Sequence, residues 1–534
     1  MEQVLAKRFQ VVVVGGGPVG AALAVDLGRR GIRCALVETR TGLARIPKGQ
    51  NLTHRTLEHF YFFGLVDELR AARLMPRDYP IGEITAYGSL AGEYWQAPAG
   101  RELVRPYYFQ DNERLPQYRM EAVLRDKLAQ LPNVEARFGW SAKAVEQDAN
   151  GVRVSIAEEG GAGRDVLGAN YVVGCDGAHS TVREQAGISR AGTDLDQRMA
   201  LVVFRSRELH QRLRRFPLRS TYRVMRPDLK GYWQFFGRVD ADEAWFFHAP
   251  VPAGSSEDNF DFHGLMRRAA GFDFSCQFDH VGFWDLRVAV AETYQAGRVL
   301  IAGDAAHSHP PYGGFGLNNG LEDAINLGWK LAARLEGWGA DALLRSYGEE
   351  RRPVIKEIAE DFIAAHIAQD AAFLACYDPQ RDRAEFERAW RTRETDIGSR
   401  VQAYVPNYAG SPLVTGPPGA RSGARGAHSF KARAGHHLAP RTLSSGRNVF
   451  EELGPGFTLL AFGVDRASVD TFLGAAKRLG APLRLIRDSY ADERTAYESP
   501  LVLVRPDQFV AWTGDRLPDD PAALIGKVTG RTER

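Results

Sequence analysis

Val11-Val-Val-Val-Gly15-Gly-Gly17-Pro18-Val-Gly20 decides how the rest of this chain is read. Four β-branched residues in a row mark a short strand buried on both faces of a parallel sheet. The glycines follow at once, at Gly15, Gly17 and Gly20, in the spacing G-x-G-x-x-G. Ala21 to Arg30 then reads as a helix, with Ala22, Leu23 and Leu27 on one side and Gly31 as its stop. A second strand, Cys34-Ala-Leu-Val37, ends in Glu38. Each part suits a dinucleotide. The first glycine allows a tight turn, the second lets backbone approach a pyrophosphate, and the third lets helix and strand pack closely. The helix N-terminus faces phosphate, and an acid about 20 residues on takes the ribose hydroxyls. A glycine pattern alone is weak; strand, glycines, helix, strand and acid in this order are specific.

The 534 residues suffice for two to four domains. A hydrophobic share of 44% and a charged share of 25% are those of an ordinary globular protein. Lys plus Arg (68) nearly balances Asp plus Glu (66), so no bulk field points to nucleic acid or an anionic membrane. Met1 to Arg8 carries charges and no apolar run, which argues against a secretory signal, and no run of about 18 apolar residues predicts a membrane span. Cys34, Cys175, Cys276 and Cys376 are scattered, without a C-x-x-C pair. That fits a cytoplasmic protein and excludes a cysteine-rich metal site.

Further along, Thr53 to Phe63 and the stretch from Leu115 to Leu131 read as helices. Tyr171-Val-Val-Gly-Cys-Asp176-Gly177 is another buried strand. From about 196 to 292 the pattern changes to short aromatic runs between turns, such as Tyr232-Trp-Gln-Phe-Phe236 and Ala244-Trp-Phe-Phe-His248, which predict antiparallel strands of a separate layer. Arg298-Val-Leu-Ile-Ala-Gly303-Asp304 returns to the parallel style, and 320–335 reads as an amphipathic helix. The nucleotide domain is therefore discontinuous in sequence.

The glycine fingerprint, Asp176-Gly177 and Gly303-Asp304 together resemble the class A flavoprotein monooxygenases, the group of para-hydroxybenzoate hydroxylase and phenol hydroxylase, over roughly residues 8 to 390. The match is tightest in Gly303-Asp304-Ala-Ala-His307-Ser-His309-Pro-Pro311-Tyr-Gly-Gly-Phe-Gly316-Leu317-Asn318, in register with the family's G-D-A-A-H-x-x-P-P-x-x-x-x-G-L-N. The resemblance implies that Asp304 holds a ribityl hydroxyl of FAD and that the backbone of Gly316, Leu317 and Asn318 meets the pyrimidine end of the flavin. It implies that Pro311 lines the substrate side of the ring through its carbonyl, and that Asp176 serves both FAD and the nicotinamide cofactor. Gln117 and Glu121 fit a Q-x-x-x-E-x-x-L helix whose glutamine meets the FAD ribose region. Relatives carry Pro-Arg-Ala where Pro47-Lys48-Gly49 stands here, so Arg45 or Lys48 is expected at the pyrophosphate; a lysine keeps the charge but loses the bidentate fork.

Tyr222, Tyr232 and His248 are candidate contacts to a phenolic substrate, each also readable as a core residue. His307 and His309 form H-x-H without an acid or cysteine at ligand spacing, so no metal is expected. The tail, opening on Gly456-Phe457-Thr-Leu-Leu-Ala, resembles the thioredoxin-like domain of phenol and polyketide hydroxylases; with no cysteine after 376 it cannot do dithiol chemistry, which leaves packing or a homodimer contact. The expected organisation is α/β: a Rossmann-like FAD-binding domain (1–75, 110–190 and 290–345), an inserted antiparallel β substrate-binding domain (76–109 and 191–289), a helical region (346–404), a linker (405–449) and a thioredoxin-like domain (450–534). The activity implied by the resemblance is hydroxylation of a phenolic ring with NAD(P)H and dioxygen, through a flavin hydroperoxide. The alternatives are a flavoprotein performing Baeyer–Villiger insertion or epoxidation on a polycyclic aromatic, and a flavin-containing binding protein without turnover.

Overall fold

A computed structural model describes residues 9–531, apart from the side chains of 193–196; the charged stretch Met1 to Arg8 lies outside the described residues. Val11–Val14 runs at the middle of a six-stranded sheet, paired parallel with Cys34–Glu38 on one side and Tyr171–Gly174 on the other. Val134–Phe138 and Val299–Ile301 continue the sheet outward in the same direction, and the short strand Gln295–Ala296 closes one edge antiparallel. The four valines are buried, as their β-branched run requires. The order of strands reverses at the first one, which opens a crevice at its carboxyl end. Helix Pro18–Arg29 leaves that end and packs on the long helix Phe315–Leu335. A Cβ on Gly20 would fall 1.9 Å from the Gly15 carbonyl oxygen, so the turn closes only around glycine.

The aromatic layer is a second, eight-stranded sheet, centred on the long strands Arg190–Arg205 and Gln277–Ala291. It is not wholly antiparallel, as the sequence reading expected. Glu83–Tyr87 pairs parallel with Thr221–Met225, because these two strands enter the sheet from separate excursions of the chain, with strands Val134–Phe138 and Tyr171–Gly174 of the six-stranded sheet traced between them. Along Thr221–Met225, Gln234–Arg238 and Ala244–Val251 side chains alternate between the two faces of this sheet. Tyr222, Val224, Phe236 and Phe247 fill a core on one face, while Thr221, Arg223, Phe235 and His248 point to a cleft on the other.

After helix Asp341–Glu357 comes a π-helical turn, Ile358–Ala364, and then helices Ala365–Cys376 and Arg383–Ala403. The C-terminal sheet is ordered Leu483–Asp488, Phe457–Phe462, Leu501–Val504, Val510–Gly514, its first pair parallel and the rest antiparallel, with helices Arg466–Arg478 and Pro521–Val528 packed together beside it. Residues 405–449 are not a linker. Strand Tyr404–Asn407 pairs with Gly423–Arg425, and Tyr408, Leu438, Leu443 and Val449 are buried. The glycines there serve close approach: a Cβ on Gly435 would meet the Ala409 backbone at 2.4 Å. Among the described residues no helix is long and apolar enough to cross a membrane.

A buried charge cluster fastens the C-terminal unit. Arg505 donates to both oxygens of Glu350, at 2.7 and 2.9 Å, and to Asp507. Lys330 and Asn326 reach the same Glu350 carboxylate, each at 2.7 Å, and Trp329 Nε1 donates to Asp507 at 3.0 Å. Two cations thus balance two anions, all buried. Burial alone would raise the Glu350 carboxyl, but Arg505 and Lys330 outweigh it and hold the group far below its ordinary 4.5. A carboxylate depressed on folding contributes stability that is complete above that ordinary value and fades as the pH falls below it. Arg505→Met should therefore destabilise the protein by about 3–5 kcal/mol, because it leaves two buried carboxylates with Lys330 as their one cation. Arg484→Met, which breaks an exposed pair with Glu452, should cost under about 1 kcal/mol. Urea unfolding of the two variants beside the parent, at pH 7 and pH 4, checks both the size and the acid dependence.

Candidate active site

A cleft of about 980 Å³ runs from the glycine loop to the inner face of the eight-stranded sheet, at the upper end of the range for ligand pockets, about 300–1,000 Å³. At the nucleotide end Gly15, Gly17, Pro18, Glu38, Lys48, Gln117 and Asp176 line it together. Gly15 has φ +101°, and a Cβ there would strike the Cys175 carbonyl oxygen at 2.3 Å; a Cβ on Gly17 would meet nothing within 4 Å and would project into the open cleft. That bare second glycine, at the start of a helix with Pro18 in its first turn, is a cradle for phosphate. Gly20 does not reach the cleft and acts only through helix–strand packing. Glu38 accepts hydrogen bonds from Gly16 N (2.7 Å) and from the backbone and side chain of Arg40 (2.9 and 3.0 Å). Burial would raise its pKa, yet these donors lower it, so the carboxylate is charged and ready for ribose hydroxyls.

Between the two cations expected near the pyrophosphate, the geometry separates clearly. Both are exposed, but Lys48 lies on the cleft wall within electrostatic reach of Asp304, whereas Arg45 lies off the cleft, near Tyr118. Gln117 donates to Glu121 at 2.7 Å. Asp176 lines the cleft, but its carboxylate accepts from Ser180 Oγ and from Val182 N (3.1 Å), capping the helix Thr181–Gln185.

Asp304 leaves its side chain open to the cleft, and its carboxylate accepts no hydrogen bond among the described residues. Surrounding protein pushes its pKa up, opposed by His307, Lys48 and Arg190. Pro311, Gly316, Leu317 and Asn318 line the same stretch, where the long helix begins at Phe315. The first N–H groups of a helix have no partner within it, so this turn presents donors and the positive end of the helix dipole. The Asn318 side chain is wholly occupied. Its Nδ2 donates to the carbonyls of Asn51 (2.9 Å) and Gly314 (2.6 Å), and its Oδ1 accepts from Thr53 N (2.9 Å) and Thr56 Oγ1 (2.7 Å). Only its backbone is left for a ligand.

Several residues of the site carry no local motif. Asp323 accepts from Gly303 N (3.0 Å) and His307 Nε2 (2.7 Å) through one oxygen and from Arg351 Nε (2.7 Å) through the other. Gln50 lies buried on the cleft wall with both amide atoms unpartnered. His309 donates Nδ1–H to the Pro310 carbonyl at 3.0 Å, which leaves Nε2 as a lone-pair acceptor without a partner; burial pushes its pKa down to about 4. His307 and His309 therefore serve separate partners, and among the described residues no group of three or more potential ligands could hold a metal.

Of the three substrate candidates, only His248 reaches the cleft, stacked on Phe235 at 5.0 Å and held neutral by burial, with its pKa pushed down to about 3. Tyr222 sits in the core behind the sheet, its hydroxyl 3.4 Å from Arg238 Nη2. Tyr232 precedes strand Gln234–Arg238 and packs toward the helices, while its neighbour Trp233 lines the cleft. Alternation along the strands decides the first two outcomes; Tyr232 lies just outside the sheet.

The FAD binding domain family model matches residues 8–361. The chain belongs to that family. It is 30% identical to the 4-methyl-5-nitrocatechol 5-monooxygenase of a Burkholderia species, with 96% of each chain covered. It is also 30% identical to the tetracenomycin B2 monooxygenase-dioxygenase of Streptomyces olivaceus, with 98% of each covered. The crystal structure of a ternary complex of aklavinone-11 hydroxylase with FAD and aklavinone superposes with a TM-score of 0.82, at 25% identity over 98% of this chain and 99% of that one. This family member is an FAD-dependent monooxygenase, and its mixed α/β fold is that of the flavin-dependent hydroxylases.

The residues present fit FAD: a bare glycine cradle, a charged Glu38, an unengaged Asp304 and a free helix N-terminus line one cleft. Asp304→Ala removes a charge-assisted hydrogen bond of about 1.5–3 kcal/mol, and so should weaken FAD by one to two decades. Lys48→Gln should weaken it too, whereas Arg45→Gln should leave it unchanged. Titration of the apoprotein by flavin fluorescence quenching separates the three.

Proposed function

We propose that this monooxygenase hydroxylates a phenolic ring, drawing reducing equivalents from NAD(P)H. The observation that carries this reading is the continuity of the cleft. The wall that fits the reactive end of FAD runs without a break into one formed by Trp233, Phe235, Phe246, Tyr312 and His248. The aromatic substrates in the names of the nitrocatechol and tetracenomycin relatives support it.

Bound FAD would supply hydride acceptance from the nicotinamide and activation of dioxygen for transfer of one oxygen atom. The chain's own residues do the rest. Gly17, Lys48 and Glu38 hold the nucleotide, Asp304 fixes the ribityl chain, and the start of helix Phe315–Leu335 stabilises negative charge at the pyrimidine end of the ring. The aromatic walls keep water from the reacting centre. Tyr312 is fixed by accepting the Trp233 backbone N–H at 3.0 Å, so its ring forms a rigid floor stacked on Trp233. His309 Nε2 is a buried acceptor without a partner on a residue of this wall. With its conjugate acid disfavoured, it polarises a phenol O–H by accepting its hydrogen bond and does not store the proton.

The domain assignment belongs to the same proposal. The six-stranded unit is the FAD-binding domain and the eight-stranded sheet the substrate-binding domain. The C-terminal unit is a thioredoxin-like domain without redox cysteines, consistent with its one parallel and two antiparallel strand pairs. A good phenol should speed anaerobic reduction of the bound flavin by NAD(P)H, measured by stopped flow. Turnover under labelled dioxygen should place one labelled atom in the product; label arriving only from water would sink the assignment.

A further inference from the structure

Two guanidinium groups stand beside the turn that opens helix Phe315–Leu335, with no acid to balance them. Arg101, at the start of the short helix Arg101–Tyr107, lines the cleft and donates Nη2 to the Gly313 carbonyl at 3.0 Å. A Cβ on Gly314, the residue that caps the long helix, would lie 3.5 Å from that same Nη2 and 3.6 Å from Cβ of Asn51. Arg114 pairs with Asn51 across a two-stranded ladder and lines the cleft as well. Its Nη1 donates to Asn51 Oδ1 at 2.5 Å, and its Nη2 to the carbonyls of Ser220 and Arg238 at 3.3 and 3.0 Å. All of these acceptors are neutral.

Neither arginine makes an ion pair among the described residues. Burial pushes both pKa values down, that of Arg114 to about 9, and the groups that oppose it are tyrosines: Tyr404 and Tyr108 for Arg101, Tyr79 for Arg114. The acids at this end of the cleft are already engaged. Glu58 pairs with Arg55 and His437, and Glu322 with Arg55 and His59. Arg101 has further N–H groups that take no partner among the described residues, and unlike Arg114 Nε they are not sealed in protein.

A buried cation without a counter-charge is unfavourable, and a cation at a helix N-terminus opposes the helix dipole. Negative charge arriving at this turn relieves both. The phosphates of FAD belong elsewhere, at Gly17 and Lys48; the part of FAD assigned to this turn is the pyrimidine end of the ring. Oxidised flavin is neutral there. A hydride from the nicotinamide brings two electrons and one proton: the hydrogen stays on N5, NAD(P)+ departs, and the ring keeps one negative charge shared by N1 and the C2 carbonyl oxygen.

We infer that Arg101 and Arg114 supply the counter-charge for reduced FAD, so that hydride transfer to the flavin completes the charge balance of the cleft. Added to the helix N-terminus, they make the bound flavin a stronger oxidant of NAD(P)H. The inference rests on the placement of FAD given above and calls for no aromatic substrate.

The test uses the FAD-loaded full chain without oxygen and without any phenol. Redox-dye equilibration gives the two-electron midpoint potential, and fluorescence quenching with the apoprotein gives the affinity for oxidised FAD. Arg101→Met should bind oxidised FAD within about threefold of the parent. Relative to oxidised FAD it should hold reduced FAD at least tenfold less well, a fall in potential of about 30 mV or more. Arg101→Lys, which keeps the charge, should recover more than half of that fall. Arg114→Met should shift the potential in the same direction, and Arg101→Met, at the less buried residue, keeps the test decisive if Arg114→Met does not fold. An unchanged potential in Arg101→Met, an equal loss of oxidised and reduced FAD, or a fall that Arg101→Lys does not recover overturns the inference. Because no phenol enters these measurements, an unchanged potential leaves the hydroxylase reading standing, and a failure to oxygenate phenols leaves the shifted potential as support for the two arginines.

Discussion

Asp323 is the constraint on which the site depends. This one buried carboxylate receives the Gly303 backbone N–H and His307 through one oxygen and Arg351 through the other. Burial would push its pKa up, but His307 and Arg351 pull it below the ordinary value, so it works as an anion. It joins the end of a sheet strand, the long helix and the helix that follows in a single charge-assisted node. Asp304 follows Gly303, so the place of the carboxylate proposed to hold FAD is set by a residue that does not line the cleft. Arg351 passes the same order onward, donating to Asn319 and Tyr408.

A second layer of charge connects the cleft to the C-terminal unit. Arg55 lines the cleft and donates to Glu322 (3.1 Å), to Gln508 Oε1 (2.8 Å) and to the Asp507 carbonyl (2.6 Å). His437 and Phe509, both from the last third of the chain, also line the cleft. The tail is therefore part of the wall, and its missing cysteines cost it nothing in that role.

What could be read in advance followed from short-range physics. Val11 to Glu38 announces strand, turn, helix and acid because those properties lie in adjacent residues, and Gly303 to Asn318 is likewise contiguous. The substrate side was legible only in type. Aromatic strands 232–236 and 244–248 were recognisable, but whether Tyr222 or Arg223 meets the cleft depends on register against neighbouring strands, which one residue of slip would reverse. Arg45 and Lys48 were equivalent as charges and separable only by the path of the loop. Residues 405–449 looked like a linker because their apolar side chains are spaced singly among Gly, Pro and Arg. Their burial comes from partners far away in sequence, as with Tyr408 against Phe509, whose rings stack at 4.2 Å. Asp323, Arg101 and Arg114 carried no signal, since an acid or an arginine within a helix or strand reads as surface until its partners are known.

The parallel pairing of Glu83–Tyr87 with Thr221–Met225 bears on how the chain assembles during synthesis. Residue 83 emerges from the ribosome 138 positions before its partner at 221. Chain entropy charges little extra for so long a closure, since its cost grows only with the logarithm of length. The delay is the heavier burden. Until Thr221–Met225 arrives, the early strand carries an unpaired edge with apolar Ile84 and Ala86, the kind of surface that captures other strands. The two-strand excursion at 83–96 thus keeps one edge open until synthesis reaches Thr221–Met225 and the eight-stranded sheet can be completed.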